Sequence, residues 1–282
     1  MAFSRAYEEN EVGPELRRIY AELRTNFDVP FVPTLFKSLA VTPPYLKGMW
    51  RDLAPVAASR EFQAASESLD DFVRAAALGG GWRLRDQERM LAEQKIATND
   101  MPVLAGVVGI FVRTLPRLLL FARLMQCGCE GGQKGRVSSG KQAPALSRLI
   151  TLHVPNEREA GLRVWLLYAD IRRTMRSKSV MSLYRALSPF PSYLASAWMD
   201  SKSVLSDKSF QHASEEVSHR ATSLIRGIPV RDHRSILNDL SADEAREVRE
   251  TVDEFVRTVP ALALLTVVWR RSFYDAKERK VA

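Results

Sequence analysis

Pro191-Ser192-Tyr193-Leu194-Ala195-Ser196-Ala197-Trp198-Met199-Asp200 decides how this chain is read, because the chain has already said it once. Pro43-Pro44-Tyr45-Leu46-Lys47-Gly48-Met49-Trp50-Arg51-Asp52 places the same Pro, Tyr, Leu, Trp and Asp at the same spacing, 148 residues earlier (191 against 43). Working outward, Tyr20-Ala21-Glu22-Leu23-Arg24 is echoed at the same displacement by Tyr168-Ala169-Asp170-Ile171-Arg172. Val32 to Leu39 is echoed by Val180 to Leu187, and Phe62-Gln63 by Phe210-Gln211. Further on the displacement shrinks to 144: Phe111-Val112-Arg113-Thr114-Leu115-Pro116 matches Phe255-Val256-Arg257-Thr258-Val259-Pro260. The second copy has lost about four residues, most simply around Gly79-Gly80-Gly81. Collinear matches at this period are too long for a solenoid repeat. They describe one unit, duplicated and packed against itself with pseudo-twofold symmetry.

The unit reads as helical. Leu16, Ile19, Tyr20 and Leu23 recur at helical spacing between Pro14 and Asn26, with charges on the other face. A short helix is predicted at 34–40. Pro43 or Pro44 opens the next, since proline suits a first helical turn. Further helices are predicted over 61–78, 84–96, 101–112 and 118–125, the last two separated by Pro116. The second half repeats the programme: 157–173, 191–203 and 210–226. A helix opened by the capping box Ser241-Ala242-Asp243-Glu244 then runs to Val256, and a last one covers 260–274. No run of alternating residues suggests a strand, so the predicted fold class is all-α, as two pseudo-symmetric repeats, 1–126 and 158–282, forming one unit. The segment 127–157 is rich in Gly, Ser and Lys and is predicted to be a long flexible linker.

Composition narrows the function classes. The chain has 282 residues, 46% of them hydrophobic, which is enough for a sizeable core. Its net charge of +8 is scattered rather than gathered in runs, so a solvated surface explains it better than a nucleic-acid site. The first fifteen residues hold four glutamates and no apolar core of a signal peptide. The apolar runs 101–112 and 260–269 are shorter than the roughly 18–20 residues a bilayer span needs. The expectation is a soluble, cytoplasmic protein that binds neither membrane nor nucleic acid. Cys127 and Cys129, one residue apart, are expected to be reduced thiols. The four histidines form no metal pattern, and no nucleotide, zinc-protease or nucleophile-elbow motif is present. Neither metal nor cofactor is expected. Tyr45, Met49 and Trp50 form a stripe on one helix face, which suits core packing or, less commonly, an aromatic pocket wall.

The repeat layout resembles a known family. The two Tyr-Ala-acid-aliphatic-Arg segments, Val29-Pro30-Phe31-Val32, both P-x-Y-L-x-x-x-W segments and Phe111 to Leu120 are similar to the group I 2-haloacid dehalogenases. These are helical enzymes acting on D- and L-2-halocarboxylates, and the resemblance covers nearly the whole chain. It implies two repeats joined by a long loop, a deeply knotted backbone, and one pocket between the repeats. It also implies hydrolysis by a water that an aspartate deprotonates, with no covalent intermediate.

Carried over position by position, the implied pocket holds Phe31, where the family has tryptophan, with Thr34, Val112, Leu115, Ser182, Leu183 and Val256. The family's water-activating aspartate falls on Leu183, its asparagines on Val112 and Leu115, and its second-half tyrosine on Val256. Leucine takes no proton, and no Asp or Glu lies between Met175 and Met199. Arg113 and Arg257, related by the repeat, are anion-binding candidates, or solvent-exposed residues beside a helix kink. Two function classes follow. One is a divergent hydrolase on small halogenated carboxylic acids, taking its base from Asp52, Asp200, Glu22 or Asp170. The other is a non-catalytic protein of the same fold that binds a small molecule. The implied partner is a small-molecule ligand such as a carboxylic acid, and a homodimer is compatible with either class.

Overall fold

A leucine–isoleucine stripe and a proline at the first position make the opening helix. In the computed structural model, which describes residues 6–84, 100–127, 152–230 and 234–273, α1 (Pro14–Phe27) buries Leu16, Ile19, Tyr20, Leu23 and Phe27. Asp28 stops it in the left-handed conformation (φ 52°), its N–H bonding back to the carbonyls of Arg24 and Thr25. The same stop closes α6 (Leu162–Met175), where Arg176 takes φ 51° and bonds Arg172 and Arg173. Non-glycine residues rarely adopt this conformation. The two lie 148 residues apart, the same offset as the sequence repeat.

The remaining helices follow the same template. α2 (Thr34–Leu39), α3 (Pro43–Ala57) and α4 (Arg60–Gly79) precede α5 (Asp100–Cys127). After α6 come α7 (Ser182–Ala186), α8 (Pro191–Ser206), α9 (Lys208–Ile225) and α10 (Ala242–Ser272). The starts of α1 to α4 and of α6 to α9 are each 148 residues apart. One-turn and two-turn 3-10 helices lie at Glu157–Glu159 and Arg234–Asp239. Among the described residues there is no β-strand, so the fold is all-α. The helix expected at 84–96 and most of the linker expected at 127–157 lie outside the described residues, as does the Cys127–Cys129 pair of side chains.

Two boundaries differ from expectation. The pieces predicted at 101–112 and 118–125 are one helix, α5, with Pro116 inside it, and the pieces on either side of Pro260 are likewise one helix, α10. A proline removes one backbone donor but need not end a helix that packing holds on both sides. In α5 the Thr114 hydroxyl, two residues before the proline, donates to the Ile110 carbonyl at 2.7 Å. α5 is long and apolar enough to cross a membrane, with mean hydropathy 1.8, but 72% of that apolar window is buried within the protein.

The chain packs as two compact units, each assembled from both sequence halves. One contains residues 1–69, 116–151 and 218–257; the other contains 70–115, 152–217 and 258–282. In the first, Phe121 is surrounded by Phe27, Phe36, Phe62 and Trp50, with ring centroids 5.2–6.2 Å away. In the second, Trp269 takes that central role among Tyr184 and Tyr193, and its indole N–H donates to Ser201 Oγ at 2.7 Å. Tyr45, Met49 and Trp50, the stripe on α3, are buried in the first unit.

Candidate functional site

The candidate residues carried over from the family come from four helices and one connector. Phe31 lies in the proline-flanked connector Pro30–Pro33, and Thr34 is the first residue of α2. Ser182 and Leu183 open α7, a five-residue helix whose every side chain is buried. Val112 and Leu115 sit on α5, four and one residues before Pro116, and Val256 sits four before Pro260 on α10. All seven are buried. The first unit holds Phe31, Thr34 and Val256; the second holds Val112, Leu115, Ser182 and Leu183. Leu183 is 1% exposed.

Proline gives the two valines a shared backbone chemistry. The carbonyl four residues before a helical proline has no i+4 amide to accept from. Those carbonyls belong to Val112 and Val256. Their side chains are apolar, so each position offers an acceptor from its main chain alone.

Arg113 and Arg257 are exposed, while their neighbours Val112, Thr114, Val256 and Thr258 are buried. An anion held by these two guanidinium groups alone would stay in solvent.

Three of the four alternative bases are committed elsewhere, and the fourth, Asp200 on α8, buries its Oδ2 in the second unit. Glu22 accepts the Trp50 indole N–H at 2.7 Å and pairs with Arg18 at 3.0 Å. Asp170 accepts the Trp198 indole N–H at 2.8 Å, and Lys202 and Arg173 donate to it at 3.0 Å each. These bonds, the indole's first, hold its carboxyl below the usual carboxylate range. A general base needs the opposite shift. Asp52 pairs with Arg51 at 2.9 Å. The acids of the repeat thus brace the repeat's own tryptophans.

One carboxylate near α7 escaped the sequence reading. Glu157 Oε1 accepts the Val180 N–H at 2.6 Å and Oε2 accepts from Arg172 at 2.9 Å, two residues upstream of Ser182. Burial pushes its proton affinity up, against the Val180 amide and the arginines Arg172 and Arg185. The signal was present, because Glu9 and Arg24 form the same pair 148 residues earlier. With both oxygens occupied, Glu157 fastens the strap that leads into α7. Tyr184 and Tyr193, also of the second unit, have buried hydroxyls without a hydrogen-bond partner, and burial pushes both phenols above their ordinary range.

An all-helical chain of this kind is similar in fold to the helical haloacid dehalogenases. Residues 30–184 and 180–279 each match the model of one family, the halocarboxylic acid dehydrogenase family DehI, and the chain belongs to that family. Two successive matches accord with the repeat. The chain is 27% identical over 238 residues to an (R)-2-haloacid dehalogenase of Pseudomonas putida, covering 81% of this chain and 77% of the relative. It is 23% identical over 232 residues to an (R)-2-haloacid dehalogenase of Rhizobium sp. (strain NHG3), covering 80% and 88%. Its fold is similar to a D-2-haloacid dehalogenase mutant in complex with D-2-CPA, with TM-score 0.82, 23% identity and 96% of each chain covered. It is equally similar to D-2-haloacid dehalogenase in complex with L-LA, with TM-score 0.82, 24% identity, and 96% and 97% covered.

Proposed function

We propose that this chain keeps the fold of its family but not the hydrolysis its dehalogenase relatives are named for, and that it holds a small, weakly polar guest. The observation that carries the reading is Leu183. It is buried at the position where the resemblance implies the water-activating aspartate, and it has no group that takes a proton. Of the carboxylates that could have replaced it, Glu22 and Asp170 are bonded to indoles and cations and Asp52 is paired with Arg51. A divergent hydrolase would need a base among the described acids; Glu157 has donors on both oxygens, and among the described residues Asp70 (Oδ1) and Asp200 (Oδ2) also bury an oxygen.

The expected guest follows from the same residues. Within the second unit, Val112, Leu115 and Leu183 are buried apolar side chains, and Ser182 adds a hydroxyl. Such a lining suits an uncharged molecule with a donor, since a desolvated carboxylate would lack a cationic partner.

The experiment has two arms. Purified protein with either enantiomer of 2-chloropropionate is expected to release no halide above background. Turnover at about 1 s⁻¹ or more, an ordinary enzyme rate, would overturn the loss of hydrolysis. In the second arm, propionamide is expected to raise the melting temperature more than propionate at equal concentration. A larger shift from propionate would assign an anion site instead.

A further inference from the structure

The cores of the two units differ in polarity. Around Phe121 the first unit packs phenyl rings and one indole. Around Trp269 the second unit packs phenols. Tyr184 lies edge-on to Trp198, with centroids 5.5 Å apart, and edge-on to Trp269 at 6.2 Å. Tyr193 lies edge-on to Trp269 at 6.4 Å and beside Phe273 at 5.9 Å. Tyr184, Tyr193, Trp198 and Trp269 are all fully buried. The repeat shows what the fold itself demands at these positions. The first-half counterparts of Tyr184, Ser201 and Trp269 are Phe36, Leu53 and Met125. The polar groups are therefore additions of the second half, and the same helices pack without them in the first.

Those additions are only partly paired with one another. The Trp269 indole N–H donates to Ser201 Oγ at 2.7 Å, and the Ser201 hydroxyl donates to the Ala197 carbonyl at 2.6 Å. The Trp198 N–H is taken by Asp170. The Tyr184 and Tyr193 hydroxyls meet no protein partner. Among the described residues, no buried hydroxyl of the first unit is left in that position. Burial pushes both phenols above their ordinary range, so each stays a protonated hydroxyl at neutral pH, with a proton to give and lone pairs to fill. A hydroxyl buried with neither bond made costs the full loss of its hydration. We propose that ordered internal water bonds the Tyr184 and Tyr193 hydroxyls, so that the second unit has a hydrated core. Water fits because it both donates and accepts, as a phenol does, and is the smallest group that can do so. An ion fits poorly, since the rings facing the two phenols are the neutral Trp198, Trp269 and Phe273, and a buried charge needs a partner. The hydrated core does not rest on the guest reading above.

The sign of a stability change separates a hydrated hydroxyl from an unmet one. Tyr184→Phe and Tyr193→Phe each remove a single oxygen, and the first installs the residue that its counterpart Phe36 already is. If water bonds the hydroxyl, phenylalanine discards a made hydrogen bond. Each variant is then expected to raise the unfolding equilibrium constant at least about fivefold, read by urea denaturation of the full chain. If the hydroxyl is unmet, phenylalanine relieves a penalty and the variant is as stable as the wild type or more so. That result for either variant overturns the proposal. A high-resolution crystal structure of the wild-type protein is expected to show water oxygens within about 3.2 Å of both phenol oxygens. Both phenol oxygens free of water, or either one facing only an aromatic ring, overturns it as well.

Discussion

Asp170 is a single carboxylate on which one helix pair depends. It takes the Trp198 indole at 2.8 Å, with Lys202 and Arg173 on the same two oxygens. Its folded-state proton affinity is lowered. A lowered carboxyl contributes stability above its unfolded-state value and loses it as pH falls through the folded one. Asp170→Asn keeps an oxygen for the indole but gives up both ion pairs. Because the site is largely solvated, screening keeps the expected loss at neutral pH to about 1 kcal/mol or less. Urea unfolding followed by tryptophan fluorescence is expected to show that difference at pH 7 and its disappearance well below the carboxylate range. A gap that persists in acid would assign the effect to shape rather than charge. Sequence spacing placed Tyr20 and Tyr168 and the two tryptophans as mates, but it left the repeat's acids as candidate bases. Which donor reaches a carboxylate depends on helix packing, and spacing along one helix does not encode that.

Among the elements, α5 separates two glycines that look alike in sequence. Gly106 is exposed, and an added Cβ there meets nothing within 4 Å. Gly109 is buried, and its Cβ would lie 1.8 Å from an Arg270 guanidinium nitrogen. That nitrogen donates to the Ala105 carbonyl at 3.3 Å, tying α10 to α5 within the second unit. Alanine in a helix interior gains roughly 0.5–1 kcal/mol over glycine when nothing is displaced. Gly106→Ala is therefore expected to stabilise by about that amount. Gly109→Ala must move the arginine tip, and is expected to fall short of Gly106→Ala by about 1 kcal/mol, the worth of a typical hydrogen bond. Equal gains in chemical denaturation would show that Arg270 relocates at no cost. The helix starts were legible because the 148-residue offset located the second set from the first. The continuity of α5 and α10 through Pro116 and Pro260 was not, since proline is a local stop signal and the packing that overrides it is long-range.

For the whole molecule, the duplicated sequence and the compact units divide the chain differently. The sequence reads as a repeat of 1–126 and 158–282 forming one unit, whereas each of the two compact units takes chain from both halves. In the first unit, Arg123 donates to Ser218, Gln126 to Asp253 at 2.7 Å, and Arg220 to Ser68 at 3.1 Å. In the second, Trp82 from the first half stacks edge-on against Phe210 at 5.0 Å and donates to Ser209 at 3.1 Å. A period read along the chain says which segments are alike, not which of them pack together, because unit membership is decided by contacts far apart in sequence. The consequence can be measured by expressing residues 1–126 and 158–282 separately. Each fragment lacks part of both cores: 1–126 lacks Phe210 beside Trp82, and 158–282 lacks the Phe27–Phe36–Phe121 cluster of the unit that holds the start of α10. Neither fragment is expected to show a cooperative urea transition alone, whereas the two mixed together are expected to recover helical signal and one transition. Cooperative unfolding of either fragment by itself would mean that a single repeat is an independent folding unit, and that the shared helices α5 and α10 carry less of the core than their buried side chains indicate.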